Sequence, residues 1–257
     1  MFGGVAFDNV TADAYGRFMG RYAEPLAPQF ADLAGVRAGQ CVLDVGCGPG
    51  ALTAVLVERL GAGSVAAIDP SAPFVAALQQ RLPGVDVRQG TAERLPHDDD
   101  VFDATLAQLV VQFMTDPVGG LREMARVTRS GGVVAACVWD HGGGRGPLST
   151  FWAAVRELQP DARGESYGVG VREGHLGDLA SEAGLRDVET DELTVRVGYA
   201  GFEEWWTPYT MGVGPAGDWV ARLGHDERER VRSACAQRLP AGPFEISASA
   251  WTVRARV

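Results

Sequence analysis

The chain has 257 residues, of which 46% are hydrophobic and 22% are charged, and its formal net charge is -10. This composition is typical of a globular protein and excludes a disordered chain or a coiled coil. A net negative charge repels nucleic-acid backbones, and the basic residues, which are all arginine, form no local cluster. We therefore expect a small-molecule partner and no nucleic acid, and a homo-oligomer is compatible with this composition.

The N-terminal residues 1–10 show no basic start followed by an apolar run, which is not the pattern of a secretory signal. No apolar stretch approaches the roughly 20 residues that a membrane-spanning helix needs. The cysteines form no CxxC pair, which argues against a zinc site and for reduced thiols. They are Cys41, Cys47, Cys137 and Cys235. We expect a cytoplasmic protein with no membrane span and no metal.

The N-terminal region, residues 1–40, is interpreted as a helical lid. Apolar and aromatic side chains at helical spacing predict one or two amphipathic helices over residues 11–34. The residues at that spacing are Tyr15, Phe18, Met19 and Tyr22. Pro25 and Pro28 are expected to interrupt the helices.

From residue 41 onward, short apolar strands alternate with helical patterns. Strands are predicted at 41–45, 65–68, 85–89, 102–107, 133–139, 185–197 and 244–257. Helices are predicted at 51–60, 72–82, 117–128, 151–158 and 173–183. Strands that alternate with helices imply a parallel sheet covered on both faces. The predicted fold is α/β: a doubly wound, mostly parallel, seven-stranded Rossmann-like sheet with a core at 41–197 and a last strand at 244–257.

The segment 198–243 separates the last two predicted strands and is far longer than a hairpin connection needs. It contains a charged helical pattern at 226–239 and three aromatic residues, Trp205, Trp206 and Tyr209. We interpret this segment as a helical cap that contributes to a substrate pocket. Adjacent tryptophans on a helix point in different directions, so we expect one to pack in the core and its neighbour to meet substrate.

A glycine-rich turn follows the first strand, at Gly46, Gly48 and Gly50. Such a turn brings backbone close to a ligand, and its spacing also fits the dinucleotide fingerprint. Two neighbours argue against a pyrophosphate. Asp44 would repel it and attract an ammonium or sulfonium group. Pro49 removes one N–H donor from the loop.

Asp69 ends the second predicted strand, where a carboxylate can accept both hydroxyls of a ribose. The run from Val42 to Gly50 resembles the cofactor loop of class I S-adenosylmethionine (SAM)-dependent methyltransferases. The segments 90–96 and 102–104 are similar to later motifs of the small-molecule subgroup that includes ubiquinone- and menaquinone-type enzymes, often called type 11. The resemblance covers roughly residues 10–195.

This resemblance implies methyl transfer from SAM to a small molecule, with S-adenosylhomocysteine as product. Asp44 and the glycines would hold the methionine part, Asp69 the ribose, and the loop from Thr91 to Glu93 the adenine. The family often has aspartate where this chain has Thr91, so a charged contact to adenine is missing. The implied cofactor residues are Asp44, Gly46, Cys47, Gly48, Gly50, Asp69, Pro70, Thr91, Ala92, Glu93, Gln108 and Leu109.

Residues for the acceptor are expected around the end of the fifth strand. His141 directly follows that strand and is the candidate general base, with a pKa near 6.5 if unperturbed and with Asp140 orienting it. The substrate-binding candidates are Tyr15, Trp139, Trp205, Trp206 and Tyr209. An NAD-dependent oxidoreductase and a non-catalytic SAM-binding regulator remain alternatives. Whether oxygen, nitrogen or carbon is methylated stays open.

Overall fold

The computed structural model describes residues 10–257. Residues 1–9 of the predicted lid lie outside the described residues. The strands are β1 Val42–Val45, β2 Val65–Asp69, β3 Asp86–Gln89, β4 Phe102–Gln108, β5 Thr128–Trp139, β6 Arg186–Tyr199 and β7 Phe244–Arg256. The helices are α1 Ala12–Tyr15, α2 Arg21–Leu33, α3 Ala51–Leu60, α4 Ala72–Arg81, α5 Pro117–Val127, α6 Ser149–Leu158, α7 His175–Glu182, α8 Phe202–Trp206, α9 Gly214–Ala221 and α10 His225–Ala236.

The strands form one seven-stranded sheet in the order β3-β2-β1-β4-β5-β7-β6. β1 pairs in parallel with β2 and β4, and β4 pairs in parallel with β5. β7 runs antiparallel to both of its neighbours. The predicted doubly wound, mostly parallel fold is confirmed. Because β1, β2, β4 and β5 are parallel, their carboxyl ends meet at one edge of the sheet.

The two faces of the sheet are covered by different helices. Leu26 of α2, Leu56 of α3 and Phe151 of α6 belong to one apolar cluster. Met124 of α5 and Leu176 of α7 belong to a second cluster on the other face. Every residue of β1 is buried, as expected for a strand whose two faces are both covered.

The N-terminal helices differ from the prediction at the prolines. Pro25 and Pro28 lie inside α2 and do not interrupt it. An interior proline costs roughly 3 kcal/mol because it removes a helical hydrogen bond. Burial of one continuous face offsets that cost: Leu26 and Phe30 are completely buried, and each such side chain contributes about 1.5–3 kcal/mol. A π-helical turn, Gly16–Gly20, joins α1 to α2.

β5 begins at Thr128, five residues before the predicted start. Its pairing with β4 shifts register between Phe102 and Ala104, where the strand bulges before regular pairing resumes at Val133. The extra residues are mostly polar and exposed and include Gly131 with φ of +75°. They lack the apolar pattern on which the prediction depended.

The segment 198–243 contains α8, α9, α10 and a short 3-10 helix, Thr207–Met211. It packs on the same face of the sheet as α2 and α6: the Tyr209 ring stacks on Phe151, with ring centroids 4.6 Å apart, and meets Phe18 edge-on at 4.8 Å. Its helical character agrees with the sequence. Its role as a cap stays a prediction, as does the division of the chain into lid, core and cap.

Candidate active site

A cavity of about 460 Å³ lies at the carboxyl edge of the sheet. From β2 to β5 its wall includes Asp69 at the end of β2, Gly46 after β1, Gln108 at the end of β4, and Trp139 at the end of β5. Neighbouring strands lie about 4.8 Å apart, so the ends of β2 and β5 are separated by roughly 14 Å. The cavity therefore offers two regions, one over β2 and β1 and another over β4 and β5.

The glycine loop approaches its neighbours so closely that side chains would not fit. Gly46 has φ of +69°, and a Cβ there would come within 2.4 Å of Val110 Cγ2. Gly50 has φ of +94°, and a Cβ there would come within 2.3 Å of Leu78 Cδ1. Both positions thus require glycine for backbone conformation and for space.

The amides of this loop are already used within the protein. The N–H groups of Gly46 and Cys47 both donate to the Ile68 carbonyl, at 2.7 and 3.0 Å. Gly48 N donates to Asp69 Oδ2 at 2.8 Å, and Gly50 N donates to the Cys47 carbonyl. Pro49 has no N–H. Residues 46–50 therefore offer no uncommitted donor to a pyrophosphate.

The Asp69 carboxylate is held rigidly at the cavity wall. Gly48 N donates to its Oδ2 and Ser71 N donates to its Oδ1, both at 2.8 Å. Each oxygen keeps a further lone pair that can accept from a ligand hydroxyl. Burial raises the pKa of Asp69 above its usual range, although the two backbone hydrogen bonds oppose that shift.

Asp44 lies beneath the loop, and its side chain is not part of the cavity wall. Thr53 Oγ1 of α3 donates to Asp44 Oδ2 at 2.6 Å. The carboxyl is almost completely buried, and this burial raises its pKa to about 7. Cys47 and Gly50 also lie behind the wall. The structure thus places these three predicted cofactor residues under the site, where they shape the loop.

The predicted adenine loop lines the cavity through Thr91, Ala92 and Glu93, and Pro70 and Leu109 also line it. The Glu93 carboxylate is engaged with the backbone across the cavity mouth, where it accepts from Thr115 N at 2.8 Å.

The N-terminal helices contribute Tyr15, Phe18 and Met19 to the wall, whereas Tyr22 lies behind it. Tyr15 meets Phe74 edge-on, with ring centroids 5.5 Å apart. Burial and the nearby charge of Asp69 raise the pKa of Tyr15 to about 12. The Tyr22 hydroxyl instead accepts a hydrogen bond from Tyr199 at 2.7 Å.

The three aromatic residues of segment 198–243, which were predicted as substrate contacts, are not among the residues that line the cavity. Trp205, Trp206 and Tyr209 are all buried. Phe202 and Tyr209 pack against both indoles, so neither tryptophan is set apart as the one that would meet substrate. The residues of this segment that line the cavity are Val213, Gly214 and Pro215.

His141 lines the cavity beside Trp139 and is buried. Burial lowers its pKa to about 4, and the charge of Asp140 opposes this shift only in part, which corrects the expected value near 6.5. The Asp140 carboxylate accepts hydrogen bonds from Gly143 N, at Oδ1, and from Arg145 Nε, at Oδ2, both at 2.7 Å. The imidazole is therefore neutral at pH 7 and is a weak base.

Sequence reasoning missed Glu165, Gln112 and Leu148, which also line the cavity. Glu165 lies in the irregular segment between α6 and α7, where no motif marks it. Its carboxyl is buried, and this burial raises its pKa to about 7.

Sheet order and loop conformation place the chain in the Rossmann-like α/β class. Residues 43–136 match the protein family described as "Methyltransferase domain". The resemblance to class I SAM-dependent methyltransferases that the loop motif indicated is confirmed.

Two of the similar proteins are named methyltransferases. Over 103 aligned residues, the chain is 41% identical to a demethylmenaquinone methyltransferase of Mycolicibacterium paratuberculosis. The alignment covers 40% of this chain and 43% of that protein. The chain is 39% identical over 94 residues to a malonyl-[acyl-carrier protein] O-methyltransferase of Salmonella typhimurium, which covers 37% of each. The chain therefore matches less than half of either relative.

The fold is also that of a solved SAM-dependent methyltransferase from Thermotoga maritima. The two structures superpose with a TM-score of 0.52 at 18% identity, over 90% or more of each: 95% of this chain and 99% of that one. This likeness concerns the fold alone.

Within residues 10–257, no helix has the length and apolar character to span a membrane. Over the same residues, no cluster of three or more His, Cys, Asp or Glu side chains could hold a metal ion.

Proposed function

We propose that this protein binds SAM and transfers its methyl group to a small, neutral molecule. The observation that carries this proposal is the pairing of a fixed Asp69 carboxylate with a glycine loop whose amides are committed. A carboxylate suits a ribose, and a loop without free donors suits a ligand that lacks a pyrophosphate. The same observation disfavours an NAD-dependent oxidoreductase, and nothing favours a non-catalytic regulator.

The residues over β2 and β1 fit the nucleoside half of SAM. Asp69 would accept the ribose hydroxyls, and Tyr15 and Phe74 supply aromatic surface beside it. Thr91 and Ala92 would flank the adenine. Gln108 donates to the Ala23 carbonyl at 3.0 Å, which leaves its Oε1 for the methionine part. When bound, SAM supplies a methyl group activated by its sulfonium.

The region over β4 and β5 fits a neutral acceptor. Its wall includes Trp139, Leu148 and Pro215. No arginine lines the cavity anywhere in the described chain, and His141 is neutral at pH 7. An anionic acceptor would therefore lack a counter-charge. The chain's contribution to the reaction is to align the acceptor with the methyl group and to exclude water.

Titration calorimetry tests this proposal. We expect SAM to bind the wild-type protein more tightly than NAD, and Asp69→Ala to weaken SAM by about 1.5–3 kcal/mol through the loss of charge-assisted hydrogen bonds. Asp86→Ala is the matched control, since Asp86 is an exposed aspartate on the adjacent strand β3. Tighter binding of NAD, or unchanged SAM affinity in Asp69→Ala, would contradict the proposal.

A further inference from the structure

Some of the residues that line the cavity carry a buried polar atom without a hydrogen-bond partner. Among the described residues that line it, four carry such an atom: Gln108 Oε1, Gln112 Oε1, Trp139 Nε1 and Glu165 Oε2. A buried polar atom without a partner costs free energy that a ligand can recover. Because Gln108 Oε1 is assigned to the methionine part of SAM, the oxygens left for an acceptor are Gln112 Oε1 and Glu165 Oε2, and both favour a ligand that donates hydrogen bonds.

Glu165 stands out among them because it carries a carboxyl group and is only 7% exposed. The segment around it is fixed by packing. A Cβ at Gly164 would come within 2.6 Å of the Trp152 ring, so the backbone lies directly on that indole. Gly168 N donates to the Glu165 carbonyl at 2.9 Å and closes a short helical turn. These contacts fix the backbone that carries the Glu165 side chain.

No positive group compensates Glu165. Trp152 Nε1 lies near enough to the carboxyl to lower its pKa, against the larger effect of burial, yet neither that atom nor Glu165 Oε2 makes a well-formed hydrogen bond. The charge of Glu165 helps to raise the pKa of the buried Tyr209 hydroxyl, which places that group nearby. The other titratable groups on the cavity wall are Tyr15, Asp69, Glu93 and His141.

We propose that Glu165 binds the hydroxyl group of a neutral, flat acceptor and takes its proton during methyl transfer. This inference rests on the proposed function. In the transfer, the acceptor oxygen forms a bond to the methyl carbon, and the bond from that carbon to sulfur breaks. The sulfur keeps the electron pair, and the hydroxyl proton passes to Glu165, which releases it to solvent with the product.

Glu165 suits this step better than His141 does. Burial raises the pKa of Glu165 to about 7 but lowers that of His141 to about 4. A base is most effective when its pKa lies near the working pH. An amine acceptor is a poorer fit, because a carboxylate beside it would hold the ammonium form, which cannot attack the methyl group.

The acceptor is expected to be apolar apart from its hydroxyl group. Trp139, Phe113 and Phe18 give the cavity aromatic surface, and Leu148 and Val213 add aliphatic surface. Aromatic rings bind flat partners by stacked and edge-on contacts. Simple naphthols have this chemistry and are the probes for the test.

Binding of 2-naphthol and of naphthalene, measured at pH 8 with S-adenosylhomocysteine present, separates the hydroxyl contact from apolar contacts. We expect 2-naphthol to bind the wild-type protein at least tenfold more tightly than naphthalene. Glu165→Gln should reduce this advantage several-fold, because a neutral amide oxygen accepts a hydrogen bond less strongly than a carboxylate does, and Asp161→Asn, an exposed control in the same segment, should keep it. No preference for 2-naphthol in the wild type, or the same preference in Glu165→Gln, would overturn the assignment.

Single-turnover methylation of 2-naphthol tests the proton step. We expect Glu165→Gln to slow it by at least 100-fold, and the wild-type rate to rise through a transition near pH 7 that the variant lacks. A rate within threefold of wild type, or no methylation of bound 2-naphthol by the wild type, would refute that step. Affinity for S-adenosylhomocysteine should stay within twofold in Glu165→Gln. Failure of the wild type to bind S-adenosylhomocysteine would instead count against the proposed function.

Discussion

The buried carboxyl of Asp44 should lower the free energy of unfolding of the ligand-free protein, compared with a neutral side chain of the same size. Asp44→Asn removes the charge and keeps the size, and the asparagine oxygen can still accept the Thr53 hydrogen bond. Burial raises the pKa of Asp44 from 3.8 to about 7. Because the folded protein binds this proton more tightly than the unfolded chain, the carboxyl's contribution to stability falls as the pH rises from about 4 to about 7.

The size of the effect follows from that pKa. A difference of one pKa unit corresponds to 1.36 kcal/mol, so the raised pKa of Asp44 lowers the free energy of unfolding by up to about 4 kcal/mol above pH 7, where the buried carboxyl must ionise, and by about 2 kcal/mol at pH 5, where it must take up a proton on folding. Asp44→Asn should therefore stabilise the protein at both pH values, and more strongly at pH 8. Relaxation of the site will reduce both figures.

Urea unfolding of both proteins without SAM, at pH 5 and pH 8, measures this difference. Asp86→Asn, at an exposed position, serves as the control and should change the free energy of unfolding little at either pH. If Asp44→Asn does not raise the free energy of unfolding at pH 8, or raises it equally at pH 5 and pH 8, then burial does not raise the pKa of Asp44 as this reasoning requires.

Two further predictions concern residues whose predicted roles the structure changes. His141→Ala should leave the rate of single-turnover methyl transfer within about threefold of wild type, with the same pH profile of that rate between pH 6 and 9. The reason is that an imidazole with a pKa of about 4 does not change charge in that range. A large loss of rate that depends on pH would restore His141 as the base. Trp205→Ala should lower the free energy of unfolding by about 3–5 kcal/mol, since the side chain is 1% exposed. It should leave the affinity for 2-naphthol, measured with S-adenosylhomocysteine present, within twofold; a loss of 2-naphthol affinity with S-adenosylhomocysteine affinity kept would return Trp205 to the substrate site.

The sheet was predictable because its signals are local. Each parallel strand is a short apolar run, such as Val42–Val45, followed by a helical pattern, and the chain order of these units implies where their ends meet. Asp69 and the glycine loop were predictable for the same reason, since Asp69 ends a strand and the loop directly follows one. Residues at the carboxyl ends of the parallel strands are expected to line the cavity, as Gln108 and Trp139 do.

The failures share a different cause, which is compensation by distant parts of the chain. Pro25 carries a visible local cost, but the burial that offsets it depends on packing that no local pattern shows. Tryptophan is a residue type that often binds ligands, but Trp205 is a core residue because Phe202 and Tyr209 pack around it. Glutamate is usually a surface residue, and only the folded structure shows that Glu165 is buried in the cavity wall.

The division of the cavity between two ligands is the central claim, and a crystal structure with bound S-adenosylhomocysteine tests it most directly. We predict that the ribose hydroxyls lie against Asp69 and the adenine beside Thr91. The sulfur should then face the region bounded by Trp139, His141 and Glu165, with room left for an acceptor. A nucleoside bound over β5, or a ligand that fills the space beside Glu165, would contradict the account.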